Sequence, residues 1–251
     1  MCNKVVAGLA VWGMITALSL TAQARTGAEA TEAPQWKVRA ELSYTSSSGN
    51  TDSETLAGKL ALKREEIRNR YYFNGSVFRT ENDNDETANK WGTEGRYERV
   101  IHERLFGFGD AYYIRDKFSG YRYRYGFGPG VGYDIVSTDA QSLKSRISLI
   151  YSYDRYSEGT EKSNDYLAGK VDINYEWHIM EHLIFREDAY YHVSFDDSDV
   201  YFLNSETALE VKINDAVSLG LSYIIAYQNK PPSPEIDDTD RIFLTSLIID
   251  F

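Results

Sequence analysis

The stretch YRYRYGFGPGVGYDIV, residues 121–136, alternates with a period of two. Tyr123, Tyr125, Phe127, Pro129, Val131, Tyr133 and Ile135 form one set, and Arg124, Gly126, Gly128, Gly130, Gly132 and Asp134 form the other. Positions i, i+2 and i+4 share one face of a β-strand, so this segment is a strand with an aromatic face and a small, polar face. A dinucleotide-binding reading of the glycines fails, because G-x-G-x-x-G must open a helix and no helical periodicity follows.

The same period runs through the chain. Trp36, Val38, Ala40, Leu42 and Tyr44 alternate with Lys37, Arg39, Glu41 and Ser43. Ile147, Leu149 and Tyr151 oppose Arg146, Ser148 and Ser152, and Val171, Ile173 and Tyr175 oppose Lys170, Asp172 and Asn174. In two segments, 71–78 and 105–115, either face could point outward. The connectors alternate as well. Short turns at 64–69, 101–104, 137–141, 179–182 and 214–216 oppose more acidic, often longer loops near 47–53 and at 80–90, 116–120, 157–165, 196–199 and 230–240. Short turns on one side and longer loops on the other mark transmembrane barrels. An even strand count returns both ends to the short-turn side. The expected fold is an all-β, antiparallel transmembrane β-barrel of about twelve strands over residues 35–251, with both termini periplasmic.

A soluble barrel would bury its apolar face, whereas the expected barrel turns that face to lipid. The chain holds 20 Tyr against 11 Phe and 4 Trp, and a ring with a polar tip suits a membrane–water boundary. Tyr and Trp sit near the ends of the apolar rows, as aromatic girdles do. A mean hydropathy of −0.47 is compatible with this, because only alternate strand residues meet lipid. The polar rows carry both charge signs and are expected to line the lumen, among them Arg96, Arg146, Lys170 and Asp172 with Gly126, Gly128, Gly130 and Gly132. Lumen-facing glycines thin one wall, ease its bending and leave room for large side chains. The final alternation, Leu247-x-Ile249-x-Phe251, resembles the assembly signal of bacterial outer-membrane proteins. It implies the barrel-assembly machinery as a partner, with outer-membrane lipid and lipopolysaccharide around the barrel.

The amino-terminal segment agrees with export. Lys4 supplies a positive start, residues 5–20 an apolar core, and Ala22-Gln23-Ala24 a cleavage site, so residues 1–24 read as a signal peptide and 25–34 as a flexible lead-in. The lone cysteine, Cys2, falls in the removed part, which leaves no disulfide framework. The formal charge is −11, and losing Lys4 makes it −12, because residues 1–24 hold no acid. That balance argues against nucleic acid, which wants clustered Lys and Arg.

The chain resembles the uncharacterised YdiY-like family, described as salt-induced outer-membrane proteins. The residues that carry the resemblance are Gly49-Asn50-Thr51-Asp52, Arg115 through Tyr121, Gly128 through Tyr133, Tyr175-Glu176-Trp177 and the late loop 229–240. The resemblance implies an outer-membrane barrel without a defined substrate.

Candidate chemistry is sparse. His178 and His182 have the i, i+4 spacing of helical zinc ligands but bracket a hairpin turn, so no metal or other cofactor is expected. His192 and Ser194 share a strand face with Asn204 on the next strand, which resembles outer-membrane phospholipase A. There a His would activate the Ser and an amide would orient the ring. The pair points to the lumen, however, away from lipid tails. The acidic loops around Asp83, Asp85 and Glu86, and around Asp196, Asp197 and Asp199, read as solvated loops, and the stretch NDNDE at 82–86 lacks the glycine and distal glutamate of an EF-hand loop. The expected function is a narrow passive pore or a structural envelope barrel tied to salt or osmotic conditions, and not an enzyme. The alternative is a lipid hydrolase built on His192, Ser194 and Asn204.

Overall fold

The computed structural model describes residues 35–47, 52–157 and 162–251. The expected signal peptide and lead-in, and Gly49, Asn50 and Thr51 of the first loop, lie outside the described residues. The strands are β1 (Lys37–Ser47), β2 (Ser53–Glu65), β3 (Asn69–Asn82), β4 (Asp85–His102), β5 (Leu105–Asp116), β6 (Tyr121–Ser137), β7 (Gln141–Tyr156), β8 (Ser163–Met180), β9 (Leu183–Ser194), β10 (Tyr201–Lys212), β11 (Val217–Gln228) and β12 (Thr239–Asp250). Each pairs antiparallel with its sequence neighbour, and β1 pairs with β12 to close a barrel. Closure leaves no free sheet edge where the ladders are complete.

Period-two chemistry decides which side of each strand meets lipid. Ile147 and Leu149 on β7 are 59% and 51% exposed, whereas the intervening Arg146 and Ser148 are 4% and 3% exposed. Two aromatic bands mark the rims. At the short-turn end Trp36, Tyr71 and Tyr97 pack in a tilted series, with centroids 6.5 and 5.3 Å apart. At the other end Trp91, Tyr113, Tyr123 and Tyr153 form a second series, with spacings of 5.1, 6.0 and 6.2 Å. Apolar rows between two aromatic girdles are the outer surface of a membrane-spanning barrel.

The structure resolves both ambiguous strands. On β3, Phe73 and Val77 face outward. On β5, Phe106, Phe108 and Asp110 are buried inward, and the outward row is Gly107, Gly109 and Ala111. One expectation is corrected. Residues 80–90 do not form a loop, because β3 and β4 run up to a two-residue turn at Asp83 and Asn84, with φ of 51° and 70°. Two successive residues at positive φ match the twist of a hairpin, and Asp and Asn tolerate that geometry. Acidic composition mimicked a loop there.

Candidate functional site

The polar rows converge on the lumen, which is built in layers. Its wall at β5–β6 explains the glycine run. Gly126, Gly130 and Gly132 lie directly across the ladder from Tyr112, Phe108 and Phe106. A Cβ at Gly126 would sit 2.7 Å from Tyr112 Cε1, and one at Gly130 or Gly132 would run into the Phe108 or Phe106 ring. At Gly128 a Cβ would strike the Leu149 carbonyl. The glycines are seats for aromatic rings of the adjacent strand, a pairing that compensates glycine in sheets. Gly126 and Gly132 are buried, and Gly128 and Gly130 are half-buried.

Ion pairs brace the lumen over the same wall. Near the short-turn end, Arg146 holds Glu98 at 2.8 Å, and Arg70 reaches Asp134 at 2.9 Å and Glu98 at 3.4 Å. At mid-height, Arg96 contacts Glu94 at 2.8 Å, Asp110 at 3.3 Å and Asp172 at 3.7 Å, and Lys170 contacts Asp172 at 3.1 Å. The Arg96–Asp172 contact joins β4 to β8, so it is a chord across the barrel and not a rung along it. Toward the loop end, Arg124 meets Asp154 at 2.9 Å and lies 3.7 Å from the Phe202 ring centroid. Tyr166 donates to Asp154 at 3.0 Å. Buried charges must be paired, and here they are paired across the space they would otherwise leave open.

The opposite wall is wetter. Asn74 and Ser76 on the inward row of β3 are exposed, and the Lys59–Glu206 pair is 31% and 24% exposed. Lys59 on β2 reaches Glu206 on β10, and Arg39 on β1 reaches Glu210, also on β10. The lumen is therefore packed along β4–β9 and hydrophilic along β2–β4.

Among the described residues one loop crosses the long-loop mouth. The loop at 229–238 meets the loop at 117–120 from the opposite side of the ring. A Cβ on Gly120 would lie 2.5 Å from Ile236 and 3.0 Å from Pro232. Gly120 has φ +80°, which admits glycine freely and other residues at a cost. Lys230 donates to Asp197 at 2.6 Å and the Asn229 side chain donates to the Asp199 carbonyl at 3.0 Å, tying this lid to the β9–β10 loop. The hydrogen bond from Lys230 holds the Asp197 carboxyl below the usual carboxylate range, and the Lys230 ammonium is raised in turn. Beneath the lid a cavity of about 70 Å³ is lined by Asp116, Asp237, Asp238 and Asp240 with Lys90 and Arg124.

His192, Ser194 and Asn204 are not brought together. His192 Nε2 lies 3.3 Å from Ser152 Oγ, inside a ring of Tyr112, Tyr166 and Phe202. Ser194 Oγ instead accepts the backbone N–H groups of Asp196 and Asp197 at 3.2 and 3.3 Å. Asn204 pairs in register with Tyr190, whereas His192 pairs with Phe202. His178 is bonded to Glu176 at 2.9 Å, and His182 lies in the β8–β9 turn. Among the loop acids, Asp83 accepts the Asp52 N–H and Glu86 accepts from Lys117. Leu247 and Phe251 are 43% and 76% exposed on the outward row of the last strand and its end, and Ile249 shares that row in register with Ala40.

Sequence reasoning missed Phe106, Phe108 and Tyr112, whose roles depend on their partners across the ladder. It also missed Tyr121, which the register shift beside Tyr123 turns inward, to 3% exposure.

A closed twelve-strand barrel with an apolar exterior, two aromatic girdles and a charge-braced interior is a membrane-spanning β-barrel. Residues 40–251 match the family described as "Protein of unknown function, DUF481", and the chain belongs to that family. Uncharacterized protein YdiY of Escherichia coli (strain K12) is 25% identical over 204 residues, which cover 81% of this chain and 79% of YdiY. Among solved structures, the NanC porin aligns with a TM-score of 0.48 and 14% identity over 86% of this chain and 98% of its own. The translocator domain of autotransporter NalP from Neisseria meningitidis aligns with a TM-score of 0.47 and 8% identity over 88% and 89%.

Proposed function

We propose that the protein is an outer-membrane barrel whose lumen is a narrow passive pore for small solutes. The observation that carries this reading is the asymmetry of the lining. Chord-like ion pairs fill the β4–β9 side, while Asn74, Ser76, Lys59 and Glu206 leave a hydrophilic strip along the other. A strip of that kind passes water and small ions but not bulky molecules, since widening it means separating buried ion pairs. Its lining charges are of both signs and paired, so intrinsic selectivity is weak. The aspartates under the lid favour cations at the mouth, and added salt screens that preference. On this reading lipid and lipopolysaccharide surround the girdles, the chain ends lie on the periplasmic side, and Leu247, Ile249 and Phe251 serve the assembly machinery.

Single-channel recording in planar bilayers tests it. The expected result is a small, weakly cation-selective conductance that grows when residues 231–236 are deleted. A large or strongly anion-selective channel, or silence in both proteins, overturns the pore and leaves a structural barrel.

A further inference from the structure

The barrel does not close evenly. The β1–β12 ladder runs only from Arg39↔Asp250 to Leu42↔Leu247, extended at the short-turn end by reciprocal backbone hydrogen bonds between Val38 and Phe251 at 2.8 and 3.1 Å. Yet β1 continues to Ser47, paired all the way with β2, and β12 begins back at Thr239, paired all the way with β11. Past Leu42–Leu247 the two strands run on without pairing to each other. The opening tapers. Ser43 and Ser246 at its base are buried, whereas Tyr44 and Phe243 beyond them are 61% and 66% exposed and Thr45 is exposed on the inward row. Leu42 and Leu247 at its foot are outward and 58% and 43% exposed, and Leu42 stands in register with Trp91 through Gly58 and Val77, so the opening starts at the upper rim of the apolar band.

Unpaired backbone N–H and C=O groups are not tolerated against bare lipid, so this edge needs a polar partner where acyl chains meet the headgroup boundary. Its outer rim is apolar and aromatic (Leu42, Tyr44, Phe243), and its inner rim is hydroxylic (Ser43, Thr45, Ser246). A molecule with an acyl tail and a polar head satisfies both rims, with its head on the backbone groups and hydroxyls and its tail in the bilayer. We propose that the upper half of the β1–β12 seam is a lateral portal that seats the polar head of a membrane amphiphile between lumen and lipid. This rests on the membrane placement proposed above but not on axial conduction, so silent bilayer recordings leave it standing.

The test uses the full chain carrying Cys2→Ser, with folding checked by heat-modifiable gel migration. Thr45→Cys and, as the control on a closed ladder, Ser76→Cys are each labelled with bimane. Both are placed in phosphatidylcholine vesicles brominated near the headgroup end of the acyl chain. Emission at Thr45 is expected to fall at least twofold relative to unbrominated vesicles, with Ser76 unchanged. In parallel, Leu42→Cys/Leu247→Cys is expected to oxidise to a disulfide, and Thr45→Cys/Leu244→Cys to stay reduced. Equal emission at both labelled sites, or equal disulfide yield in both pairs, overturns the portal. Cross-linked dimers through Thr45→Cys also overturn it, in favour of a second copy pairing with the edge.

Discussion

Gly126→Ala separates a packing account of the glycine run from one based on backbone bending. Replacing glycine by alanine inside a strand is ordinarily worth about 0.5–1 kcal/mol in favour of alanine. At Gly126 the new methyl would lie 2.7–2.8 Å from two ring atoms and the hydroxyl oxygen of Tyr112, against ordinary contact at 3.4–4 Å, so the side chain must retreat by about 0.7 Å. It has little freedom to do so. Its hydroxyl contacts Ser152 Oγ at 3.3 Å and its ring stands edge-on to His192 at 6.4 Å. Overpacking of this kind costs about 1–3 kcal/mol, which outweighs the propensity gain and makes the substitution destabilising. Gly95→Ala is the matched control, because nothing lies within 4 Å of its Cβ position on the lipid side, and it should stabilise by about 0.5–1 kcal/mol. Tyr112→Ala removes the obstruction at its own cost, and in that background Gly126→Ala should change sign. Reversible denaturant unfolding in lipid vesicles measures all four corners of the cycle. A neutral or stabilising Gly126→Ala in the native background, or additivity within about 0.5 kcal/mol, refutes the reasoning.

Facing, lid and closure each give a further expectation. Gly75→Arg puts a charge into lipid between the two girdles and should cost about 2–4 kcal/mol, while Ser76→Arg enters the wet strip and should cost far less; equal losses in vesicle unfolding would reverse the facing of β3. The Lys230–Asp197 tether has a worked pH window. Lowered Asp197 contributes above its unfolded pKa and fails as pH falls through its folded one, whereas raised Lys230 contributes below its unfolded pKa and fails as pH rises through its folded one. Proteolysis of the loop at 229–238 should therefore be flat across neutral pH and rise at both extremes, and Lys230→Ala should abolish the pH dependence. Removing Phe251 deletes the two backbone bonds to Val38 at the seam, so less heat-modifiable, membrane-inserted protein should be recovered.

Strand number, pairing order and the facing of most strands could be read from residues alone because a period of two is local: Leu149 and Ser148 declare opposite faces without any partner. The lumen could not be read that way, since its arrangement depends on register. Nothing in the sequence near Gly132 names Phe106, and only the ladder sum that sets Phe106 against Gly132 puts the ring on the glycine. The same holds for Arg96 and Asp172, which meet across four steps of the ring. Composition misled at 80–90, where Asp and Asn that look like loop residues are what a positive-φ hairpin turn requires. For β5, Gly107, Gly109 and Ala111 carry too little hydrophobic signal to announce a lipid-facing row.

The two cross-lumen pairs on the wetter side share a position that gives them a task. In the ring order β10, β11, β12, β1, β2, the Lys59–Glu206 pair joins the outer members, and Arg39 joins β1 to Glu210 on β10. Both contacts therefore straddle the short seam from inside, and Arg39 also reaches Asp250 across it at 3.1 Å. A clasp is needed there, because four ladder pairs and the Val38–Phe251 bonds hold what ten or more pairs hold between most other neighbours. The pairs differ in burial: Glu210 is 2% exposed in its side chain, but Lys59 and Glu206 are 31% and 24% exposed. Half-wet pairs are worth about 0.2–1 kcal/mol and are screened by salt, whereas a buried partner is not. Raising salt should thus loosen the Lys59–Glu206 clasp first and widen the seam above it while Arg39–Glu210 keeps the base shut. The readout is the bimane at Thr45 in brominated vesicles. Its quenching should increase from low salt to about one Debye length of 3 Å, near 1 M. Lys59→Ala should show the high-salt quenching at every salt concentration. If salt leaves the quenching unchanged in the parent and Lys59→Ala matches it, the pair braces the lumen without clasping the seam.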